Sequence, residues 1–316
     1  MPLQTFLRKF SKKHAYIAGG LVIVLALVLI LPSPKVKYPV VVEVLEGSTF
    51  SEVASVLDEK GVIQSGTVMT LLGKLSGTDR SLRAGVFTFT YAESVFSVMY
   101  RLVSPSQADV KITFPEGTSV RAMGELLEAG IPTFDRARFE TLAASEEGYL
   151  FPDTYYFSRN VQPEEVISIM KTTLRTRLEE IDVASAPYTL HEILTMASIL
   201  EKEARTFEVR QTVAGILWNR IEENMPLQVD AVFGYIKGTD TYSPSLSDLE
   251  INSPYNTYRN RGLPPGPINN PGLESIRAAL QPIDTPYRFY LTDKDGRMHY
   301  STTFQEHVRN KQTYLK

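Results

Sequence analysis

Two carboxyls stand two residues apart near the end of the run Thr189–Ala204, TLHEILTMASILEKEA: Glu201 and Glu203. Thr189 followed by Glu192 makes a capping box, and neither Gly nor Pro interrupts the run as far as Ala204, so it predicts a helix. At about 100° per residue, Leu190, Leu194 and Ala197 line one face, with Ile193 and Ala204 at its edge. Glu201 falls within that face, and Glu203 points roughly 160° away from it. A carboxyl desolvated by apolar neighbours keeps its proton to higher pH, which suits a general acid, so Glu201 is the first candidate for acid–base work. The competing structural reading puts Glu201 at the edge of the stripe in an ion pair with an Arg. Glu203 is expected to pair with a cation such as Arg220.

Other chemistries find less support. None of the histidines, His14, His191, His299 and His307, stands in HExxH or a comparable spacing, so no catalytic metal or other cofactor is expected. The chain has no cysteine, hence no disulfide, thiolate ligand or thiol nucleophile. No GxSxG or P-loop occurs. Ser198 and Lys202 are four apart, as in a serine/lysine hydrolase, but that spacing on a helix is commonplace. Carboxylates remain: Glu201 first, then Glu147, Asp153, Asp230 and Glu203.

Four segments gather polar and aromatic groups: EGYLFPDTY (147–155), the helix ending at Glu203, MPLQVDAVFGY (225–235) and SPYNTYRNRGLPPGPINNPG (253–272). Tyr rings can cover the apolar faces of sugars while amides and carboxylates take the hydroxyls. Glu147, Tyr149, Gln228, Asp230, Tyr255, Asn256 and Tyr258 are the binding candidates. The competing reading makes the Pro/Gly-stiffened loop a structural element packed on the helices.

The elements that must position these groups read as an α+β chain. VVVEVLEGSTFSEVASVLDEKGVI predicts strand, turn and helix, with Thr49 and Glu52 as a capping box and Gly61 as the stop. A helix over 66–75, a strand over 84–92 and a helix over 94–102 come next. ADVKITFPEGTSVRAMGELLEAGI (108–131) repeats the order strand, Glu-Gly, helix, Gly, Ile, as a modest internal duplication. Beyond Phe134 the chain is mostly helical: 134–145, 163–180, 189–204, 207–223, 272–281 and 304–313. A hairpin is expected at 289–301, turning at Asp295-Gly296. The long segment 225–271 reads as a functional loop.

Arg8, Lys9, Lys12 and Lys13 precede an uncharged run of 17 residues, Ala15–Leu31. With Pro32 and Ser33 it is long enough to span a bilayer, and the basic flank keeps the N-terminus in the cytoplasm. No convincing small-x-small triplet lies beyond it, so an anchor is favoured over a cleaved signal peptide. The net charge is −3, and removing the four positive charges of the first 13 residues leaves −7 for the rest. That excludes a nucleic-acid partner of the usual basic-faced kind.

EGYLFPDTY, ASILEKEA, the Asn219-Arg220 pair of ILWNRI, LQVDAVFGY, SPYNTY, GLPPGPINNPG and HYSTTFQEH, in that order, resemble the YceG-like family of endolytic murein transglycosylases. The resemblance runs from the apolar segment to the C-terminus. It implies a cytoplasmic stub (1–14), a transmembrane helix (15–33), a LysM-like subdomain (34–105) and a mainly helical catalytic domain with a small β element (106–316), held in the cell membrane with its body outside the cytoplasm. The implied activity cuts the MurNAc-β-1,4-GlcNAc bond inside peptidoglycan strands and leaves 1,6-anhydro ends. Glu201 then takes the acid position, with Gln228, Asp230, Tyr255, Asn256 and Tyr258 on the sugar. Cell-wall synthases, the penicillin-binding proteins, are the implied protein partners. One departure concerns LQVDAVFGY, where Val229 and Ala231-Val232 replace the usual neighbours of the Asp. Two alternatives are a hydrolytic muramidase using Asp153 or Asp230 as a second carboxylate, and a non-enzymatic glycan-binding scaffold.

Overall fold

A computed structural model describes residues 40–89, 92–104, 110–183, 186–239 and 243–315. The segment 15–33 expected to span the membrane lies outside the described residues. Among the described residues no helix is long and apolar enough to cross one. The chain is a mixed α+β protein, mostly helical, with three two-stranded sheets among the described residues. It divides into two compact units, one reaching Lys111 and including Tyr156–Asn160, the other comprising Ile112–Tyr155 and Val161–Lys316.

In the first unit β1 (Val40–Val44) pairs antiparallel with β2 (Gly85–Phe89), Val42 opposite Phe87. Helices α1 (Phe50–Glu59), α2 (Gly66–Ser76) and α3 (Val95–Val103) complete it. The Thr49/Glu52 capping box forms as the sequence predicts. Alternate strand residues Val42 and Val44 and the helix positions Phe50, Val53, Ala54 and Leu57 close the core with Phe87 and Phe89. Arg101 lies 2.6 Å from Glu93, donates to the Thr88 carbonyl at 3.0 Å and covers the Phe89 ring.

Strand β3 (Val110–Thr113) pairs with β4 (Thr154–Phe157). The second unit then holds α4 (Val120–Gly130), α5 (Arg136–Ala143), α6 (Pro163–Leu178), α7 (Leu190–Glu203), α8 (Phe207–Glu222), α9 (Val232–Lys237) and α10 (Leu273–Leu280). The hairpin of β5 (Phe289–Thr292) and β6 (Met298–Ser301) and helix α11 (Phe304–Tyr314) close the chain. In the repeated motif Gly47 and Gly117 both take a positive φ. The copies differ at their ends, because Gly130 is the last residue of α4 where Gly61 takes the left-handed conformation.

One difference from the sequence reading bears on the chemistry. Helix α7 carries no one-sided stripe: Ile193 through Leu200 are all fully buried, Thr195 and Ser198 included. α7 is the central element, packed against α8 and α10, and Thr195 and Ser198 satisfy their hydroxyls on backbone carbonyls at 2.7 and 2.8 Å. A helix surrounded by protein has no solvent face against which to rank its carboxyls.

Candidate active site

The last turn of α7 leaves the core and sends consecutive side chains in different directions. Glu201 goes to Arg210 of α8: Oε1 accepts from Nη2 at 2.7 Å, and both side chains are almost fully buried, 6% and 8% exposed. Its Oε2 accepts the Gly272 amide at 2.9 Å, at the start of α10. Arg210 also meets Glu274 at 3.4 Å and donates to the Ala204 carbonyl. The Glu116 carboxyl lies against Gly272, 2.0 Å from where a Cβ there would be. Burial, then the nearby charge of Glu201, raises the Glu116 pKa, while Arg210 pulls it down. Both oxygens of Glu201 are thus engaged in a lock joining α7, α8 and α10. The ion pair with an Arg that the sequence offered for this residue is present.

Glu203 opens instead onto a cavity of about 390 Å³, shared with Gln228, Asp230, Tyr258, Tyr290, Arg220 and His307. Its Oε2 accepts the Tyr290 hydroxyl at 2.9 Å. Burial raises its pKa above the usual carboxyl range. The negative charge of Asp230 adds to that rise, and hydrogen bonds from Tyr290 and the Ala231 amide oppose it. Tyr258 donates to Asp230 Oδ1 at 2.6 Å. Burial first, and that bond second, push the Tyr258 phenol upward, so it stays protonated as a donor. The site therefore holds a carboxyl biased toward its acid form near a carboxylate whose charge is shared with a phenol.

The walls are fixed by backbone obligations. Arg220 donates to the carbonyls of Arg288 and Leu227, both at 2.6 Å, and lies over the Phe289 ring. That ties β5 to the loop before Gln228. Gln228 takes a positive φ of 51° and Val229 donates its amide to Thr257. A non-glycine residue in that region costs of order 1–3 kcal/mol and persists only where its surroundings hold it. Here it presents Gln228 and Asp230 to one cavity. His307, stacked on Phe289, has a pKa lowered by burial and by Lys311 and Arg220.

The model of the YceG-like family matches residues 42–313. The chain belongs to that family. A Bacillus subtilis (strain 168) protein named endolytic murein transglycosylase is 29% identical over 309 residues, spanning 88% of this chain and 86% of the relative. A Streptococcus pneumoniae (strain D39) protein of the same name is 28% identical over 321 residues, and the match covers 87% of this chain and 58% of that longer relative. The 2.6 Å crystal structure of a putative yceG-like protein from Listeria monocytogenes superposes with a TM-score of 0.55 at 28% identity, covering 86% of this chain and 98% of that one.

Against this YceG-like fold the binding candidates separate. Gln228, Asp230 and Tyr258 meet at the Glu203 cavity. The other four lie elsewhere. Asn256 is fully buried and spends its amide on the carbonyls of Leu249 and Ile251. Glu147 accepts the Val120 amide at the head of α4 and the Asn270 side chain at 2.9 Å. Tyr149 donates to His191 Nδ1 at 3.1 Å, since His191 Nε2 must carry the hydrogen given to the Pro265 carbonyl. Tyr255 packs its ring on Tyr235, centroids 4.8 Å apart. Asp153, weighed as a second carboxylate, pairs with Arg177. Ser198 accepts the Ile268 amide and is fully buried, which removes it as a nucleophile. The PINNPG turn is bolted to α7 through Ser198 and to the EGYL turn through Asn270, while Pro267 lies where a Cβ on Gly148 would be. Sequence reasoning missed Tyr290 entirely. Its only signal was its place in FYLT, a strand fixed by Arg220.

Proposed function

We propose that this protein is a lytic transglycosylase of murein that cuts within glycan strands, with Glu203 rather than Glu201 as its acid and then its base. Membership of the YceG-like family and the names of its relatives support the reaction class. The observation that favours Glu203 is its position: a carboxyl biased toward protonation, open to the cavity that also holds Gln228, Asp230 and Tyr258. Glu201, with both oxygens already bonded, is poorly placed to cycle a proton.

In this mechanism protonated Glu203 gives its proton to the oxygen leaving C1 of the muramic residue. The carboxylate so formed accepts the proton of the C6 hydroxyl as that oxygen attacks C1. One bond to C1 breaks, one forms, no water is consumed, and a 1,6-anhydro end results. Tyr290 holds the carboxyl in place. Asp230, with Tyr258, sets negative charge beside the oxocarbenium-like centre. The segment 15–33 anchors the protein in this reading, the first unit corresponds to the LysM-like part, and cell-wall synthases are its partners.

Asp230 also favours one alternative. A second carboxylate in the same cavity could take a proton from water attacking C1, as in two-carboxylate hydrolases. Mass spectrometry of muropeptides released from purified sacculi by the full chain separates the two. Anhydro-muramic ends support transglycosylation, reducing ends mean hydrolysis, and no release by wild type sinks both.

A further inference from the structure

Between Glu201 and Glu203, Lys202 points into a different space. It lines a cavity of about 320 Å³ with Arg121, Glu140, Glu147 and Tyr235. This cavity adjoins the Glu203 site through two pairs of consecutive residues. Lys202 and Ala231 face one space, and Glu203 and Asp230 face the other, with neighbouring Cα atoms about 3.8 Å apart. The backbone at these two steps is therefore common to the walls of both cavities, which places the Lys202 cavity next to the Glu203 one.

The charges on its wall are unequal in their commitments. Glu147 receives the Val120 amide at 3.1 and 3.2 Å and the Asn270 amide at 2.9 Å. Glu140 receives Arg136 Nε at 2.6 Å. Arg121 lies 3.7 Å from Glu125. Lys202 is exposed and makes no hydrogen bond or ion pair with any described residue. The cavity wall thus includes a lysine with no bonded partner among the described residues, its head group lying by Gly117, and the ring of Tyr235. That lining suits a carboxylate on a partly apolar substituent. N-acetylglucosamine, and a muramic residue whose lactyl carboxyl is amide-linked to a stem, carry no such charge. In murein the carboxylates belong to the peptide stems attached through the lactyl group.

We infer that the Lys202 cavity receives the carboxylate-bearing peptide stem of the strand cut at Glu203. This rests on the proposed murein activity and makes Lys202 a specificity-determining residue rather than a catalytic one.

The test uses uncrosslinked strands in two forms, one with native stems and one with the stem carboxylates capped as carboxamides. The glycan and the lactyl amide are the same in both. KM and kcat are measured for the full-length wild type and for Lys202→Met, whose exposed, unpaired site predicts an unchanged fold. A surface charge pair is worth up to about 1 kcal/mol, so wild type should show a KM about threefold to fivefold lower on native stems. Lys202→Met should erase that ratio with kcat on the capped strands unchanged. A wild type that treats both strands alike, or a variant that keeps the ratio, overturns the inference. So does an equal fall of kcat on both substrates, which would mean that Lys202 serves the catalytic carboxyl. Cleavage of neither strand by wild type would instead sink the murein reading, and this inference with it.

Discussion

Replacing each α7 carboxyl by its amide should produce two different kinds of damage. Glu203→Gln keeps the shape of the side chain and can still accept from Tyr290, but it has no proton to cycle. General acid–base catalysis contributes typically 10²–10⁴-fold, so the rate should fall by about that factor, roughly 3–5 kcal/mol of barrier at 1.36 kcal/mol per decade. Its folding midpoint should not fall. Glu201→Gln attacks a buried pair instead. Breaking such a pair costs roughly 3–5 kcal/mol because the remaining charge is stranded. Two features moderate that cost here: Glu274 stays 3.4 Å from Arg210, and the amide oxygen can still take the Gly272 N–H. With a loss of about 3 kcal/mol in a unit of this size, at roughly 2–4 °C per kcal/mol, the midpoint should drop by about 6–12 °C. The assays are release of muropeptides at matched folded concentration and thermal unfolding followed by near-UV circular dichroism. Glu201→Gln should keep most of its turnover per folded molecule. A Glu203→Gln protein within about tenfold of wild type, beside an inactive but stable Glu201→Gln, would refute the assignment.

The same geometry sets further outcomes. Tyr258→Phe removes the bond to Asp230 and should lower kcat by about tenfold to a hundredfold, since hydrogen bonds to charged groups are worth roughly 1.5–3 kcal/mol. Tyr255→Phe, whose ring packs away from the Glu203 cavity on Tyr235, should leave kcat within about twofold, read in the same release assay. The rate of wild type should decline as pH rises through the elevated pKa of Glu203, because the proton to be donated is lost; a rate that climbs across that range contradicts the role. The same shift has a stability consequence. A raised carboxyl pKa favours the folded state fully below the ordinary value of 4.5, and that contribution is lost as pH rises through the folded value. Glu203→Gln should therefore gain stability relative to wild type on going from pH 4 to pH 8, measured by urea unfolding at each pH.

Local signals in the sequence carried most of the fold. Thr49/Glu52 and Thr189/Glu192 are capping boxes in the structure as they are in the chain, and the β5–β6 hairpin turns at Asp293–Arg297 with Gly296 at φ 81°. Helix α9 was missed because VFGYIK is under two turns long with a glycine inside it, too short for a periodic signal. The site was half legible. Gln228, Asp230 and Tyr258 were picked by residue type and do converge. Asn256 and Glu147 have the same chemistry but are consumed by the loop's own amides and carbonyls, and residue type does not reveal which way an amide is spent. The stripe argument behind the choice of Glu201 does not apply, for a tertiary reason. The stripe argument presumes a helix half in water, and α7 is wrapped on every side from Ile193 to Leu200.

That wrapping is also what lets three successive residues differ in role. Side chains along a helix step by about 100°, so a helix whose last turn emerges from a core aims neighbours at separate surroundings. Glu201 falls back toward Arg210 and the start of α10, Lys202 into the cavity bounded by Tyr235, and Glu203 into the cavity bounded by Asp230 and Tyr290. The first carboxyl is held by a guanidinium and a backbone amide. The carboxyl at the third position is reluctant to ionise, and burial without a cation bonded to it supplies that reluctance. Two identical side chains two residues apart have different surroundings here because different elements set them. α8 and α10 serve the first, and the Gln228 loop with β5 serves the second. A substitution that moves α8, such as Gly215 to a larger residue against the Ile283 carbonyl 2.1 Å from its missing Cβ, should disturb the lock before the acid. Stability should then fall first, with turnover per folded molecule largely kept.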